Sequence, residues 1–164
     1  MIEIVRAENP QQIDEAKGIF REYETWLGMS LCFQRFEEEL QGLPGKYDLP
    51  DGRLYLAYIN GEIAGCIALR RFAENICEMK RLFLRENARG HGIGNMLIER
   101  VIEDALVIGY KKMRLDTYPP KMGKAVSLYE SHGFYSIPAY YNNPHEGVLF
   151  MEKILEERMS AKNR

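Results

Sequence analysis

The feature that most constrains this chain is a glycine-rich run between a predicted strand and a predicted helix. The run consists of Arg89, Gly90, His91, Gly92, Ile93 and Gly94. Residues 76–85 before it are mostly apolar and predict a β-strand, and residues 95–106 after it predict an α-helix. Glycines let the backbone adopt conformations that a Cβ atom forbids, so successive N–H groups can point at one spot. Because a helix N-terminus adds unpaired donors and partial positive charge, the run predicts a site for a phosphate or pyrophosphate.

The spacing of the glycines excludes two common phosphate-binding loops. No Lys-Ser or Lys-Thr pair follows them, as the loop of nucleoside triphosphatases requires, and their spacing differs from the dinucleotide fingerprint G-x-G-x-x-G. The run does match the pattern R-x-x-G-x-G through Arg89, Gly92 and Gly94. Downstream, the segment Leu-Tyr-Glu-Ser-His-Gly-Phe at residues 128–134 matches a second pattern, L-Y-E-x-x-G-F. In this order, the two motifs resemble those of the GNAT superfamily of N-acetyltransferases.

The remaining chain predicts strands and helices in the order β-α-α-β-β-β-α-β-α-β-β. Asn60-Gly61, between two apolar runs, predicts a β-hairpin. The strands of this hairpin are almost continuously apolar, which predicts a sheet covered by helices on both faces. The resemblance implies an α/β (α+β) fold, the GNAT fold, with a mixed and mostly antiparallel sheet of about seven strands that splays apart at the cosubstrate site. We expect a single such domain over residues 1–164.

Four local patterns give more detailed predictions. Residues 9–12 form a capping-box pattern, Asn-Pro-x-Gln, at the start of the first helix. The acidic run at 37–39 lies on the predicted second helix and is expected to be solvated. A helix is predicted at residues 124–132. The last two strands are predicted at residues 134–141 and 148–155.

Composition excludes several other classes of function. The net charge of −2 argues against a nucleic-acid-binding surface. No apolar run approaches the roughly 18 residues that cross a bilayer, and the first residues form no signal peptide, so no membrane partner is expected. The three cysteines lack C-x-x-C spacing and predict neither a disulfide framework nor a zinc site. We therefore expect a cytoplasmic protein.

The resemblance implies acetyl-CoA as the cosubstrate, with no metal. Leu82, Phe83 and Leu84 would pair with the amides of pantetheine like a neighbouring strand, with one main-chain N–H facing the thioester oxygen. The backbone of residues 89–94 would wrap the pyrophosphate, and Lys124 could reach a phosphate of CoA. The acceptor would be a primary amine of a small molecule or of a protein.

The same resemblance proposes residues for proton transfer. Tyr129 stands at the tyrosine of the L-Y-E motif, which serves as general acid; a phenol of ordinary pKa near 10 is protonated at neutral pH and can donate to a departing thiolate. Its alternative role is that of a core tyrosine. Glu78 and Asp116 are the two candidates for the base, acting on the amine through water. Either carboxylate could instead be the ion partner of Lys80, Arg81 or Arg114.

The acceptor is not identified by any dense charge cluster in the sequence. Tyr140 and Tyr141 are predicted to line its site, although adjacent tyrosines also occur as ordinary half-buried strand residues. The leading interpretation is an acetyl-CoA-dependent N-acetyltransferase. The alternative is a CoA-binding sensor without turnover, and a third possibility is the same chemistry with a longer acyl donor. A homodimer formed through the terminal strands is a further possibility that the resemblance raises.

Overall fold

A computed structural model describes residues 1–31 and 35–156 of the chain. These residues form seven strands and four α-helices in the predicted order, so the prediction of the fold is confirmed. The elements are β1 (Ile2–Arg6), α1 (Pro10–Leu27), α2 (Phe36–Gln41), β2 (Arg53–Ile59), β3 (Glu62–Ala73), β4 (Ile76–Leu84), α3 (Ile93–Ile108), β5 (Lys112–Thr117), α4 (Pro119–Ser131), β6 (Tyr135–Ile137) and β7 (Leu149–Ile154). Among the described helices, none is both long and apolar enough to cross a bilayer.

Helix α1 begins where the sequence predicts, with capping hydrogen bonds at its N-terminus. The side chain of Asn9 accepts a hydrogen bond from the Gln12 N–H at 2.8 Å, and the side chain of Gln12 accepts one from the Asn9 N–H at 3.2 Å. Pro10 stands at the first helical position, where its missing N–H costs nothing. This reciprocal capping box satisfies two of the backbone donors that every helix start leaves unpaired.

The seven strands form one sheet in the order β1-β2-β3-β4-β5-β7-β6. All neighbouring strands are antiparallel except β4 and β5, which are parallel. Helices cover both faces, as predicted, because successive strand residues point to opposite sides. Helices α3 and α4 pack on one face and α1 and α2 on the other; representative core residues are Ile67, Leu69, Leu97 and Val101 on the first face, and Cys66, Ala68, Phe20 and Leu40 on the second.

The sheet opens between β4 and β5. Their ladder contains three residue pairs, from Ile76 opposite Lys112 to Glu78 opposite Arg114. Beyond Glu78, a β-bulge interrupts the pairing of β4 with β3, because Phe83 faces Cys66 whereas Lys80 already faces Ala68. A bulge adds one residue to a strand, bends it and increases its twist. The second half of β4 therefore separates from β5, which is the splay that the resemblance implies.

The bulge carries Arg81, a non-glycine residue with a φ of 62°. Its side chain is 3% exposed and makes two hydrogen bonds to Glu39 of α2, from Nε at 3.0 Å and from Nη2 at 2.8 Å. The prediction of a solvated acidic run was therefore wrong for Glu39, although Glu37 and Glu38 are exposed. Glu39 is not solvated because a buried guanidinium has to be paired with a negative charge. Glu39 is the residue of the acidic run that faces the sheet.

Two predicted boundaries are also corrected. Strand β6 ends at Ile137 instead of continuing to residue 141, because Pro138 cannot donate to a sheet ladder and the chain then turns across the sheet. Helix α4 begins at Pro119, earlier than predicted, with a non-helical residue at Met122. Proline suits the first turn of a helix, so the Pro119-Pro120 pair both stops β5 and starts α4.

The ion pair at the bulge yields a prediction about stability. Glu39→Gln should lower the free energy of unfolding by about 3 kcal/mol, because it leaves the guanidinium of Arg81 buried without a counter-charge. Urea titration followed by circular dichroism measures the change. Glu37→Gln is the matched control on the same helix: Glu37 pairs with Arg21 in full solvent, so its loss should leave the midpoint nearly unchanged. Equal midpoints for the two variants would contradict the prediction.

Candidate active site

The glycine-rich run forms a tight turn that leads into α3. Gly90 and Gly92 have φ angles of 84° and 76°, in the left-handed region that glycine adopts without strain. The first helical hydrogen bond is donated by the Met96 N–H to the Gly92 carbonyl at 3.1 Å. The N–H groups of the preceding helical residues consequently have no acceptor within the helix. The turn has the backbone geometry of the anion site predicted from the sequence.

Gly94 brings this turn close to the neighbouring elements. A Cβ atom here would lie 3.3 Å from the side chain of Leu128 on α4 and 3.6 Å from that of Leu84 on β4. The absence of a side chain therefore allows the first turn of α3 to lie beside both walls of the opening in the sheet.

The free edge of β4 runs beside the same turn. The N–H of Arg85 donates to the Ala64 carbonyl on the β3 side at 2.8 Å. Because alternate residues of an antiparallel strand point their backbone groups to opposite sides, those of Leu82 and Leu84 point toward the opening. Since β5 pairs with β4 only as far as Glu78, this edge of β4 is not covered by β5. The carbonyl of Leu84 accepts a hydrogen bond from Arg89 Nε at 3.1 Å.

The opening is crossed by a cation–aromatic contact that the sequence did not predict. The guanidinium of Arg89 lies 5.0 Å from the centre of the Trp26 ring, and Lys121 Nζ lies 5.6 Å from it. Arg89 follows β4, Lys121 lies on α4, and Trp26 lies on α1. Two cations from opposite walls therefore share one indole. Only the three-dimensional contact with these two cations identifies Trp26 as a residue of the opening. In the sequence, its position in α1 is that of an ordinary packing residue.

The side chains of Lys124 and His91 are exposed. Lys124 lies on the surface of α4. His91 lies in the turn and lines a separate cavity beside Met1 and Asn60. The structure therefore brings the backbone of the turn to the opening, but it gives neither of these two side chains a defined contact there.

Tyr129 lies at the base of the opening. Its ring is buried and packs edge-on against Phe134 at 5.9 Å. It lines a small cavity that is also lined by Asp116, Lys80 and Leu82. Burial raises the pKa of the Tyr129 phenol above its ordinary value, with further contributions from Tyr23 and Asp116, so the phenol stays protonated at neutral pH.

Glu78 lies on the other side of β4 from the α3 core and is almost completely buried. Its carboxylate accepts hydrogen bonds from Arg70, whose Nη2 and Nε lie 2.8 and 3.0 Å from Oε1. Lys80 Nζ is 3.9 Å from the same oxygen. The hydroxyl of Tyr140 donates to Oε2 at 2.5 Å. Glu78 is thus paired most closely with Arg70, a partner that the sequence analysis did not name.

Asp116 is half-buried on β5 and is held differently. Its Oδ2 accepts a hydrogen bond from the hydroxyl of Tyr141, which in turn accepts one from Asn143 Nδ2 at 2.8 Å. The two predicted acceptor-site tyrosines therefore each hold one of the two candidate bases. Sequence spacing could not predict this pairing, because Tyr140 and Tyr141 reach the sheet face from a loop rather than from a strand.

A larger cavity of about 510 Å³ lies over the same sheet face. It is bounded by the end of α2, the turn that follows it, β3, β4 and the β6–β7 loop. Its charged and aromatic lining includes Arg35, Glu38, Arg70, Phe72, Glu78, Lys80 and Tyr141. Within residues 1–31 and 35–156, no group of three or more histidine, cysteine, aspartate or glutamate side chains is arranged to hold a metal ion.

Comparison with known proteins identifies the family. The model of the acetyltransferase (GNAT) family matches residues 15–134. The chain belongs to this family. It is 37% identical to an uncharacterized N-acetyltransferase of Schizosaccharomyces pombe, covering 92% of this chain and 93% of the relative. It is 30% identical to the N-acetylaspartate synthetase of Danio rerio over 74% of this chain and 46% of that protein.

The fold is also that of solved GNAT structures. The paia N-acetyltransferase of Thermoplasma acidophilum, solved in complex with coenzyme A, superposes with a TM-score of 0.72 over 94% of this chain and 99% of that one, at 21% identity. This GNAT chain is an N-acetyltransferase. Its family and the coenzyme A complex of this neighbour support acetyl-CoA as the cosubstrate. The residues present fit that molecule, because the chain offers backbone donors at the turn and a free strand edge beside it.

Trp26 provides a direct test of this GNAT site, because it is the single tryptophan of the chain. We expect CoA to change the intensity and wavelength of Trp26 emission, since its phosphates would attract Arg89 and Lys121 and so alter the charges on the indole. A fluorescence titration should give the same Kd as calorimetry. Adenosine, which has no phosphate, is the control and should leave the emission unchanged. CoA binding detected by calorimetry without an emission change would contradict the prediction.

Proposed function

We propose that this enzyme transfers the acetyl group of acetyl-CoA to a primary amine by direct attack in a ternary complex. The observation that carries the proposal is that Tyr129 and Asp116 line one small cavity beside the free edge of β4. A proton donor and a proton acceptor thus lie where a thioester held along β4 would end. The Thermoplasma neighbour, which has the same fold, was solved in complex with coenzyme A, and this supports a coenzyme A thioester as the acetyl donor. The name of the Danio relative supports a small-molecule acceptor as one of the two acceptor types.

The reaction needs few groups from the protein. The neutral amine nitrogen attacks the thioester carbonyl carbon, a C–N bond forms and the C–S bond breaks. One proton leaves the amine, and the departing thiolate takes one proton. A main-chain N–H on the free edge of β4, at Leu82 or Leu84, would stabilise the negative charge that develops on the carbonyl oxygen. Holding both reactants in the opening supplies the rest of the rate enhancement through proximity.

Tyr129 is the proposed general acid. Burial keeps its phenol protonated, so the proton is available when the C–S bond breaks. The same burial weakens the phenol as an acid. Burial also makes a thiolate in the same place a stronger base, because low polarity disfavours both anions, and this partly offsets the weaker acidity of the phenol.

Asp116 is the favoured base, with Glu78 as the second candidate. Asp116 lines the small cavity together with Tyr129, whereas Glu78 lines the larger one. Both oxygens of Glu78 already accept hydrogen bonds, from Arg70 and from Tyr140. A base has to be within reach of the proton that it removes, directly or through one water molecule. Asp116 meets this requirement more readily.

Replacing the proposed acid should slow turnover and leave binding intact. We expect Tyr129→Phe to lower kcat by roughly 10- to 1,000-fold, because it removes the proton donor and little else. Its Kd for CoA should stay within about twofold of wild type. Tyr135→Phe, which removes a hydroxyl on β6 that donates to Glu152 outside the opening, is the control and should keep wild-type kcat. Near wild-type turnover by Tyr129→Phe would exclude Tyr129 from the mechanism.

The two candidate bases can be separated by their pH dependence. Asp116→Asn should abolish the acidic limb of the profile of kcat/KM against pH, because that limb reports the base of the free enzyme. Glu78→Gln should keep the limb, even if it lowers stability by leaving Arg70 without its partner. Loss of the limb in Glu78→Gln alone would assign the role to Glu78, and its persistence in both variants would exclude both residues.

The reaction itself is tested by thiol release from acetyl-CoA with a panel of amines, compared with propionyl-CoA as a longer acyl donor. Amine-dependent release is the expected result. Tight CoA binding without release for any amine would favour the alternative of a non-catalytic CoA-binding module.

A further inference from the structure

The proposed base Asp116 is held by a network of hydrogen bonds that comes from the loop between β6 and β7. The Tyr141 hydroxyl donates to Asp116 Oδ2, and Asn143 Nδ2 donates to the Tyr141 oxygen at 2.8 Å. The N–H of His145 donates to Asn143 Oδ1 at 2.9 Å, and His145 Nε2 lies 3.1 Å from the Ser30 carbonyl oxygen. This loop network therefore connects the segment after α1 to the end of β5.

The direction of each hydrogen bond in the loop network follows from the chemistry of its members. A backbone N–H can only donate, so the side-chain oxygen of Asn143 faces His145 and its NH2 group faces Tyr141. An amide NH2 group also can only donate, so the Tyr141 oxygen accepts there and its single hydrogen is directed to Asp116. A carbonyl only accepts, so His145 donates to Ser30 from Nε2. Each member thus orients the next, and the last donor points at the carboxylate.

Tyr141 is the side chain that directly holds Asp116. Within residues 1–31 and 35–156, the Asp116 carboxylate makes no other hydrogen bond and no ion pair, and this one is made to Oδ2. Glu78 differs, because Arg70 holds it as well as Tyr140. Oδ1 of Asp116 is therefore the oxygen that remains for a proton from the amine. Loss of one hydroxyl would leave this carboxylate without its fixed contact.

Ring packing holds Tyr141 in place independently of its hydroxyl. The ring of Tyr141 packs edge-on against Phe150 of β7 at 5.3 Å and against Tyr140 at 5.5 Å. The Tyr140 ring in turn packs edge-on against Phe72 of β3 at 5.1 Å. Such aromatic pairs stabilise a contact through the area that the rings bury and through their edge-to-face geometry. A phenylalanine at position 141 would keep the ring contacts and remove the hydroxyl alone.

The other charged and titratable groups near the base come from α1, β4 and the start and end of α4. The two small cavities that the base lines are also lined by Tyr23, Lys80, Arg81, Tyr118 and Tyr129. The two cations of this set lie beside carboxylates of their own, Glu78 and Glu39. Burial raises the pKa of the Tyr23 phenol to about 12, so it stays neutral. None of these five side chains forms a hydrogen bond or ion pair with Asp116, and Tyr141 provides the direct contact.

We propose that Tyr141 is a positioning residue for the base: it holds Oδ2 of Asp116, and Asn143 keeps the Tyr141 hydroxyl turned toward it. A hydrogen bond donated to a carboxylate favours the ionised form, which is the form that can accept a proton. The proton that leaves the amine passes to Oδ1, directly or through one water molecule, and the hydrogen of Tyr141 stays on its own oxygen. This inference rests on the proposed function, in which Asp116 is the base.

The variant Tyr141→Phe tests the hydroxyl, with the amine that gives the fastest thiol release as acceptor. It should lower kcat/KM by about tenfold on the acidic limb of the pH profile and by less on the plateau, the factor expected when a charged group loses one hydrogen bond. The acidic limb should therefore move to higher pH. The Kd for CoA should stay within about twofold of wild type, which shows that the variant is folded.

Tyr140→Phe is the matched comparison, because it removes the neighbouring hydroxyl from an equally packed ring. That hydroxyl donates to Glu78 instead of to Asp116. Tyr140→Phe should therefore leave the acidic limb where it is in wild type, whatever its effect on KM for the amine. The same movement of the limb in both variants would overturn the inference, because it would not be specific to the contact with Asp116.

A double-mutant cycle tests whether Asn143 acts through the Tyr141 hydroxyl. Asn143→Ala alone should move the acidic limb in the same direction as Tyr141→Phe, by a smaller amount. In the Tyr141→Phe background, Asn143→Ala should have no further effect, because no hydroxyl remains to be directed. Fully additive effects would overturn the role assigned to Asn143.

The remaining failures can be told apart. If Tyr141→Phe keeps the wild-type profile while Asp116→Asn loses the acidic limb, the inference is overturned and the proposed function stands. An equal loss of kcat/KM at every pH in Tyr141→Phe would indicate a merely structural role and would also overturn it. If Asp116→Asn keeps the limb, the assignment of the base fails and the inference fails with it. If CoA binds and no amine releases thiol, the whole proposed function fails.

Discussion

The buried guanidinium of Arg81 is the constraint on which the rest of the structure depends. It lies at the point where β4 bulges, in a left-handed backbone conformation that costs a non-glycine residue free energy. Glu39 compensates its charge through two hydrogen bonds, and the ring of Phe36 lies 5.3 Å from its guanidinium carbon. The bulge bends β4 away from β5, and the opening that results holds Tyr129 and Asp116. One ion pair thus links the stability of the fold to the existence of the site.

The same ion pair positions one wall of the large cavity over the sheet face. Glu39 belongs to α2, a helix of six residues that is too short to be stable by itself. Its place over the sheet is determined by contacts with β4, so α2 and the turn after it border the large cavity. Tyr140 and Tyr141 close the other side by donating to Glu78 and Asp116. The shape of the large cavity and the geometry of the sheet are therefore coupled through charged side chains on one face of the sheet.

Much of this could be predicted from the sequence, for reasons that are local. The capping box at the start of α1 and the glycine turn at 89–94 depend on residues close together in the chain, and both were predicted. The prediction of β6 was wrong beyond Pro138. The conformation of the next residues is determined by hydrogen bonds to distant strands instead of by their own β-propensity. The inward direction of Glu39 was missed for a similar reason, since its partner Arg81 is distant in sequence.

By itself, the sequence determined the order of the elements, the glycine turn and the family, because hydrophobic periodicity and motif spacing are properties of consecutive residues. Only the tertiary structure decided which charges meet. It placed Trp26 between Arg89 and Lys121, and it placed Lys80 between the two cavities. These outcomes depend on how far β4 bends at its bulge and on which helix covers the bend. Such long-range geometry is set by packing and by the requirement that buried charges be paired, and no local pattern records it.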